Sequence, residues 1–346
     1  MKVLVTGNAG FIGFYVCKKL LERGDTIVGL DNLNRYYDID LKKNRLKILK
    51  KIARKRKSKY FFFKIDISNR QKIKKIFTRH KFDRVIHLAA QAGIRYSLKN
   101  PEVYIKSNQV GFFNIIDLAC KFKVPHFVYA SSSSVYGDNL KMPFSELSNT
   151  DYPRQIYAAT KKSNELTAYS YSSLYRLKTT GLRYFTVYGP WGRPDMALFK
   201  FTKNILRKKK IIVFNKGNHQ RDFTYIDDAV NLTLLASDRI SNFNKKKTPF
   251  RIFNIGSNSP IKLNKFINII EKILKIKSRK KMATLQKGDM VSTYSNSSKI
   301  FKKFNYIIKT NHYANIAKFI HWYKNYYSKW NFMIRFETQH VKIFKL

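Results

Sequence analysis

Residues 2–31 read KVLVTGNAGFIGFYVCKKLLERGDTIVGLD, and their order decides the fold. Val3, Leu4 and Val5 form a short apolar run, the mark of a strand buried on both faces of a parallel sheet. The run breaks at Gly7. A helical pattern follows, with Phe14, Cys17, Leu20 and Leu21 on one face. Gly24-Asp25 turns the chain, and Thr26 to Leu30 predict a second strand ending at Asp31. A strand that feeds a helix through glycines aims the helix's free N–H groups at an anion. Gly7 permits the tight turn, Gly10 lets backbone approach a pyrophosphate, and Gly13 lets the helix lie close to the strand. Phe11 and Ile12 open the helix at that anion. Asp31 stands where a carboxylate accepts hydrogen bonds from a ribose 2′-hydroxyl and repels a 2′-phosphate, which favours NAD over NADP. Arg35 nearby leaves that choice open.

Strand and helix signals alternate onward from this unit, as in a doubly wound parallel α/β sheet. Tyr60–Ile65, Arg84–Leu88, His126–Ala130 and Thr179–Phe185 read as strands. Gln71–His80, Pro101–Phe122 and Arg154–Tyr175 read as helices. After residue 185 the pattern loosens. Tyr188–Pro194 reads as a loop, with helices over Ala197–Lys208, Asp227–Ser237, Leu263–Leu274 and residues 311–327. Short strands are expected at Ile211–Phe214, Arg221–Tyr225 and Arg251–Ile255. The expected organisation is a dinucleotide-binding domain over residues 1–180, its sheet completed by later segments. A smaller mixed α/β substrate lobe covers 181–327, and an extension of unknown role covers 328–346.

The 346 residues carry 69 Lys and Arg against 21 Asp and Glu, a net charge of +48. Such an excess ordinarily points to a polyanion. Here the lysines are spread along the chain and accompany an excess of Ile, Asn, Phe and Tyr, the mix of an A+T-biased coding sequence. The densest run, Lys47–Lys59, suits a helix with a solvated basic face. Salt-sensitive sticking to polyanions is expected, and a specific nucleic-acid partner is not. No apolar run approaches the ~18 residues of a membrane span, and the N-terminus lacks the pattern of a signal peptide. Cys17 and Cys120 fall in predicted helices and suggest neither a disulfide nor a metal site. A cytoplasmic protein without a metal is the expectation.

Tyr157-Ala-Ala-Thr-Lys161 places a phenol and an amine four residues apart, on one face of a helix. A free phenol with a pKa near ~10 is a poor base at neutral pH. An adjacent ammonium stabilises the phenolate, as would the positive nicotinamide ring. Among 22 tyrosines chance matches to this spacing are expected. Tyr60 and Lys64 are one, but in a strand they lie ~13 Å apart and cannot couple. Tyr157 instead follows a strand ending in Ser131, Ser132, Ser133 and Ser134, whose hydroxyls would face the cleft.

Taken together, TGNAGFIG (6–13), LDNLN (30–34), HLAAQAGIRYSLKNP (87–101), YASSSSVYG (129–137), YAATKKSNE (157–165), GLRYFTVYGPWGRPDMA (181–197), RDFTYIDD (221–228), FNIGSNSP (253–260) and QKGDM (286–290) resemble the extended branch of the short-chain dehydrogenase/reductases. Within it they resemble the nucleotide-sugar 4-epimerases, most of all those acting on UDP-glucuronate. The resemblance covers residues 1–327 and implies a Rossmann-like fold, bound NAD, a UDP-sugar substrate, a homodimer and a place in polysaccharide biosynthesis. It implies that Tyr157 takes the proton of the sugar 4-hydroxyl while hydride passes to NAD+. The 4-keto sugar then rotates and hydride returns to the opposite face.

The same resemblance makes Ser132 and Lys161 catalytic partners of Tyr157. It makes Ser133, Ser134 and Thr186 contacts of the sugar carboxylate or 6-position. Asn32, Asp66, Ile67, Ala89, Ala90, Gln91, Asn108 and Tyr184 become cofactor contacts, with Tyr157 and Lys161 at the nicotinamide end. Arg193 and Arg221 lie in two of the matching loops and suit a diphosphate, and Asp289 matches a ribose contact. Arg95 has no assigned role. Three readings compete: a 4-epimerase of UDP-glucose or UDP-N-acetylglucosamine, a nucleotide-sugar 4,6-dehydratase, and a non-catalytic NAD-binding sensor. Dehydratases of this branch carry Thr-Asp-Glu where Ser132, Ser133 and Ser134 stand. Sensors typically lose the tyrosine or lysine. The family more often has proline at position 287, and its members usually end near Trp322–Tyr327. The tail could be an added strand, an unordered segment or read-through past an eroded stop.

Overall fold

The computed structural model describes residues 1–240, 246–286 and 288–343, with side chains described as far as Ser328; Lys287 and the last three residues lie outside it. The first half alternates strictly: β1 (Lys2–Thr6), α1 (Phe11–Glu22), β2 (Thr26–Asp31), α2 (Ile39–Arg56), β3 (Tyr60–Lys64), α3 (Arg70–Arg79) and β4 (Arg84–His87). After a short turn of helix at Ile94–Ser97 and another at Pro101–Tyr104 come α4 (Gly111–Lys121), β5 (Phe127–Ser132), α5 (Ile156–Tyr175), β6 (Thr179–Tyr184) and β7 (Thr186–Tyr188). The chain continues through α6 (Ala197–Leu206), β8 (Ile211–Phe214), β9 (Gln220–Tyr225), α7 (Ile226–Asp238), β10 (Phe250–Ile255), β11 (Pro260–Lys262) and α8 (Leu263–Leu274). It ends with β12 (Lys280–Ala283), β13 (Ser292–Thr293), α9 (Ser298–Phe304) and α10 (His312–Ile343).

Seven strands form one parallel sheet in the order β10-β6-β5-β4-β1-β2-β3. The strand order reverses between β1 and β4, so the crevice for a ligand opens above their C-terminal ends. The run Val3-Leu4-Val5 is wholly buried because helices cover both faces. One face packs α1 with Phe14, Val16, Cys17 and Leu20 against Val3, Val5 and α7. The other packs Leu4, Val28 and Val85 against Ile73, Phe77, Phe112 and Ile116. The sheet's last strand, β10, comes from far beyond the first 180 residues and pairs with β6 in register Phe250↔Thr179 to Ile255↔Tyr184. Beside this sheet lie β7, β9, β11 and β13, with a two-stranded pair β8–β12.

Three features depart from the sequence expectations. The helix expected to run unbroken from Pro101 to Phe122 contains a π turn over Ile105–Val110. That extra residue per turn swings Asn108 inward and is the kind of insertion found beside functional sites. The basic helix starts earlier than the lysine run suggested, at Ile39, where the Asp38 side chain caps Asp40 N–H at 2.9 Å. The last helix continues through position 328 to Ile343, so the described part of the extension is neither strand nor unordered tail. No helix of the described residues is long and apolar enough to cross a membrane.

Candidate active site

The glycine turn after β1 is built as its spacing demanded. Gly7 has φ +71°, and a Cβ there would meet Ala89 N at 2.7 Å. A Cβ on Gly13 would sit 2.1 Å from the Gly7 carbonyl, so only glycine lets α1 start this close to β1. The first turn of α1 has no acidic residue and no side-chain cap, which leaves its positive end for an outside anion. Asp31 accepts Leu33 N–H at 2.8 Å and Ala9 N–H at 3.3 Å, holding the end of β2 to the same loop. These features fit a dinucleotide.

One cleft is lined by Gly7, Gly10, Phe11, Ile12, Gly13, Asp31, Asn32 and Ile67 on the β1–β3 side. Ala89, Ala90, Gln91, Ser132, Ser133, Ser134, Tyr157, Lys161 and Tyr184 line it from the centre. Thr186, Arg193, Arg221 and Asp289 close it from the second half of the chain. Asp66 and Asn108 are not among the lining residues. Asp66 accepts hydrogen bonds from Asn32 Nδ2 at 2.9 Å and from Ser68. Asn108, turned in by the π turn, clamps both backbone groups of Gln91, at 2.8 and 3.1 Å, and donates to Thr160 Oγ1 at 3.1 Å. It therefore positions the end of β4 instead of lining the cleft.

Tyr157 is half-buried on the first turn of α5, edge-on to Tyr104 at 6.0 Å. Burial pushes its phenol pKa up, while a hydrogen bond with Ser132 and the charge of Arg193 pull it down. Ser132 Oγ also receives Ser134 N–H at 3.2 Å, which fixes the hydroxyl row at the end of β5. Lys161 is buried, its Nζ donating to Ala130 O at 2.8 Å, and burial lowers its pKa to about 8. In this arrangement Lys161 grips the β5 backbone one turn below the phenol, and the charge of Arg193 also bears on the phenol. The chance pair is also accounted for: Tyr60 receives Asn8 Nδ2 at 2.6 Å, and Lys64 ends the same strand.

Arg193 and Arg221 have different partners. Arg193 binds Asp195 through Nε at 2.9 Å and Nη2 at 2.5 Å, and Tyr36 OH donates to that carboxylate at 3.0 Å. Arg221 donates to the carbonyls of Met290 and Val291, and burial lowers its pKa to about 10. Asp289 there is paired with Arg95 at 3.0 Å, which lies 4.6 Å over the Phe214 ring. Arg95, unassigned from sequence, thus ties the loop after β4 to the far wall. Asn34, Tyr36, Lys42, Met196 and Thr293 also line the cleft and escaped sequence reading, except that Asn34 and Met196 lie within the stretches 30–34 and 181–197. Lys42 had a signal only in retrospect, as the one lysine placed on α2's apolar side with Leu41, Leu46 and Leu49.

The carboxylates among the described lining residues are Asp31 and Asp289, one held by backbone and the other by Arg95. None stands beside Ser132 or Tyr157, so the acid needed for elimination of water is missing there. No cluster of His, Cys, Asp and Glu among the described residues could hold a metal.

A glycine cradle above a parallel sheet, facing a tyrosine and lysine on the next helix, defines a dinucleotide-dependent enzyme for sugar or alcohol carbons. The chain belongs to the NAD dependent epimerase/dehydratase family, whose model matches residues 3–256. It is 45% identical over 340-odd residues to UDP-glucuronate 4-epimerase 2 of Arabidopsis thaliana, covering 95% of this chain and 77% of that one. The fold superposes with TM-score 0.85 on UDP-glucuronic acid 4-epimerase from Bacillus cereus, crystallised with UDP-glucuronic acid and NAD, at 30% identity over 94% of this chain and 99% of that one. It superposes with TM-score 0.83 on a UDP-glucose 4-epimerase of Thermotoga maritima, at 28% identity with the same coverage.

Proposed function

We propose that this protein is an NAD-dependent UDP-glucuronate 4-epimerase, interconverting UDP-glucuronate and UDP-galacturonate. The observation that carries the proposal is Tyr157, bonded to Ser132 in the cleft of the glycine cradle, with no carboxylate beside it among the described lining residues. When bound, NAD would supply a reversible hydride acceptor for the sugar's C4. Tyr157 removes the 4-hydroxyl proton and later returns it, and Ser132 holds that hydroxyl against the phenol. Lys161 stabilises the phenolate and fixes the end of β5. Ser133, Ser134 and Thr186 face the sugar's 6-position, where a carboxylate gains most from charge-assisted bonds, and Arg193 answers the diphosphate. Arg221 and Asp289 serve the nucleotide end. Residues 1–180 hold the cofactor and 181–327 the UDP-sugar, with β10 returning to the first sheet.

Separate incubation with UDP-glucuronate and UDP-glucose, with products resolved by chromatography, tests the substrate. Conversion of UDP-glucuronate is expected to be about ten- to a hundredfold faster, the scale of one charge-assisted pair. Conversion of UDP-glucose alone would transfer the enzyme to the neutral-sugar class.

The same reading includes a homodimer in the cytoplasm, in a pathway of polysaccharide biosynthesis. Phe113, Leu166, Tyr169 and Leu174 leave apolar side chains exposed on α4 and α5, a patch that supports self-association. Sedimentation at micromolar concentration is expected to give twice the chain mass, and a monomer would remove the dimer.

A further inference from the structure

Helix α2 presents two buried cations, one turn apart, toward the glycine cradle. Arg45 is fully buried and donates to Ala9 O at 2.8 Å, Tyr37 OH at 2.8 Å and Trp191 O at 2.5 Å. It grips the cradle from behind. Lys42 is only 4% exposed, yet its side chain lines the cleft. Its Nζ donates to Asn34 O at 2.9 Å and Asn34 Oδ1 at 2.8 Å, with the Tyr37 ring 4.6 Å away. Neither cation forms an ion pair with a carboxylate among the described residues.

A buried lysine without an ion pair is costly. Two of its three donors are satisfied by neutral oxygens of one residue, and the third is left for the cleft. The charged groups facing it are Asp31, Arg45 and Arg193. Asp31 bears on it without reaching ion-pair distance. Burial lowers the pKa of Lys42 and raises that of Asp31, so the same dry wall disfavours both charged forms. Such a wall is completed by an anion, and the anion that the cradle takes is a dinucleotide diphosphate.

We infer that Lys42 is a further cofactor-holding residue, its ammonium bonding the diphosphate–adenosine-ribose portion of NAD, and that Asp31 and Lys42 together decide between a 2′-hydroxyl and a 2′-phosphate. The inference rests on the NAD reading of the cleft. In the wild-type protein Asp31 takes the 2′-hydroxyl and rejects a phosphate, while Lys42 answers the diphosphate. With Asp31 neutralised, the same ammonium becomes the cation for a 2′-phosphate. Arg35, which the sequence had left in competition for that role, is exposed.

Full-length wild type, Lys42→Met, Asp31→Asn and the double variant are compared by the nucleotide each retains on purification and by calorimetric titration with NAD and NADP. Lys42→Met is expected to bind NAD about ten- to a hundredfold more weakly, the scale of one charge-assisted bond, and to retain less of it. Asp31→Asn is expected to gain NADP binding that the double variant loses. Should Lys42→Met not fold, Lys42→Gln carries the same comparison. NAD affinity within about twofold of wild type overturns the role of Lys42, as does equal NADP affinity of the single and double variants. A wild-type chain that takes up no NAD would instead sink the cofactor reading itself.

Discussion

Tyr157→Phe is expected to lose about 10²- to 10⁴-fold in kcat, the contribution of a positioned acid–base group. UDP-glucuronate affinity and retained NAD should be close to wild type. The substitution removes one oxygen from a half-buried ring that packs edge-on against Tyr104. Ser132 keeps its bond from Ser134 N–H, so the hydroxyl row survives. The loss therefore falls on kcat and spares binding, the pattern of an interaction made in the transition state. Burial raises the phenol, so in the free enzyme Tyr157 is protonated at neutral pH and needs positive charge to act as a base. Lys161 supplies part of it only while protonated. Because burial brings its pKa to about 8, log(kcat/KM) is expected to be flat at neutral pH and to fall above about 8. A Tyr157→Phe protein that epimerises at wild-type rate ends the assignment. A pH profile with no alkaline limb between 7 and 10 would show instead that Lys161 is structural.

The first thirty residues declare the sheet because each of their requirements is local. A Cβ at Gly13 collides with a carbonyl only six residues away, so spacing alone exposes it. The meeting of Tyr157 and Lys161 with the serine row was legible for the same reason, since they lie on consecutive elements with β5 and α5 in direct contact. What sequence hid was long-range or masked by composition. The partner that orients Arg193 is Asp195, two residues on, but the tyrosine that completes the clamp is Tyr36, 159 residues away. The role of Arg95 depends on Asp289 and Phe214, which no periodicity links to it. Lys42 was lost among the lysines around it, since burial of one charged residue leaves no trace in a +48 chain. The π turn was invisible because Ile105–Val110 keeps helical composition; only the inward Asn108 betrays it. The tail continued as helix although its pattern carries no clear amphipathic period.

Glu165→Ala is expected to cost about 3–5 kcal/mol of stability, the penalty for leaving a buried charge without its partner. The Glu165 and Arg183 side chains are each 4% exposed. The carboxylate accepts Arg183 Nε at 2.9 Å, Arg183 Nη2 at 2.8 Å and Ser131 Oγ at 2.5 Å. Without it, the guanidinium keeps only Tyr136 OH at 3.1 Å and Glu146 O at 3.4 Å, two neutral partners for a full charge. Replacing the pair together, as Glu165→Leu with Arg183→Met, should recover most of the loss, because two apolar groups leave no orphan. Urea titrations of the three proteins measure this, and a midpoint for Glu165→Ala equal to wild type would show the pair to be energetically silent. The site should register the change separately from stability. Glu165 lies one turn beyond Lys161 and raises its pKa against the effect of burial. Removing that negative charge lets the ammonium give up its proton more readily. The alkaline limb of kcat/KM in the Glu165 variants should therefore move below its wild-type position near 8, and Ser131, released from the carboxylate, should loosen the end of β5 where Ser132 meets the phenol. A limb that stays in place while the protein loses stability would make Glu165 a purely structural residue, and one that moves upward would reverse the sign of the coupling between this buried pair and the catalytic helix.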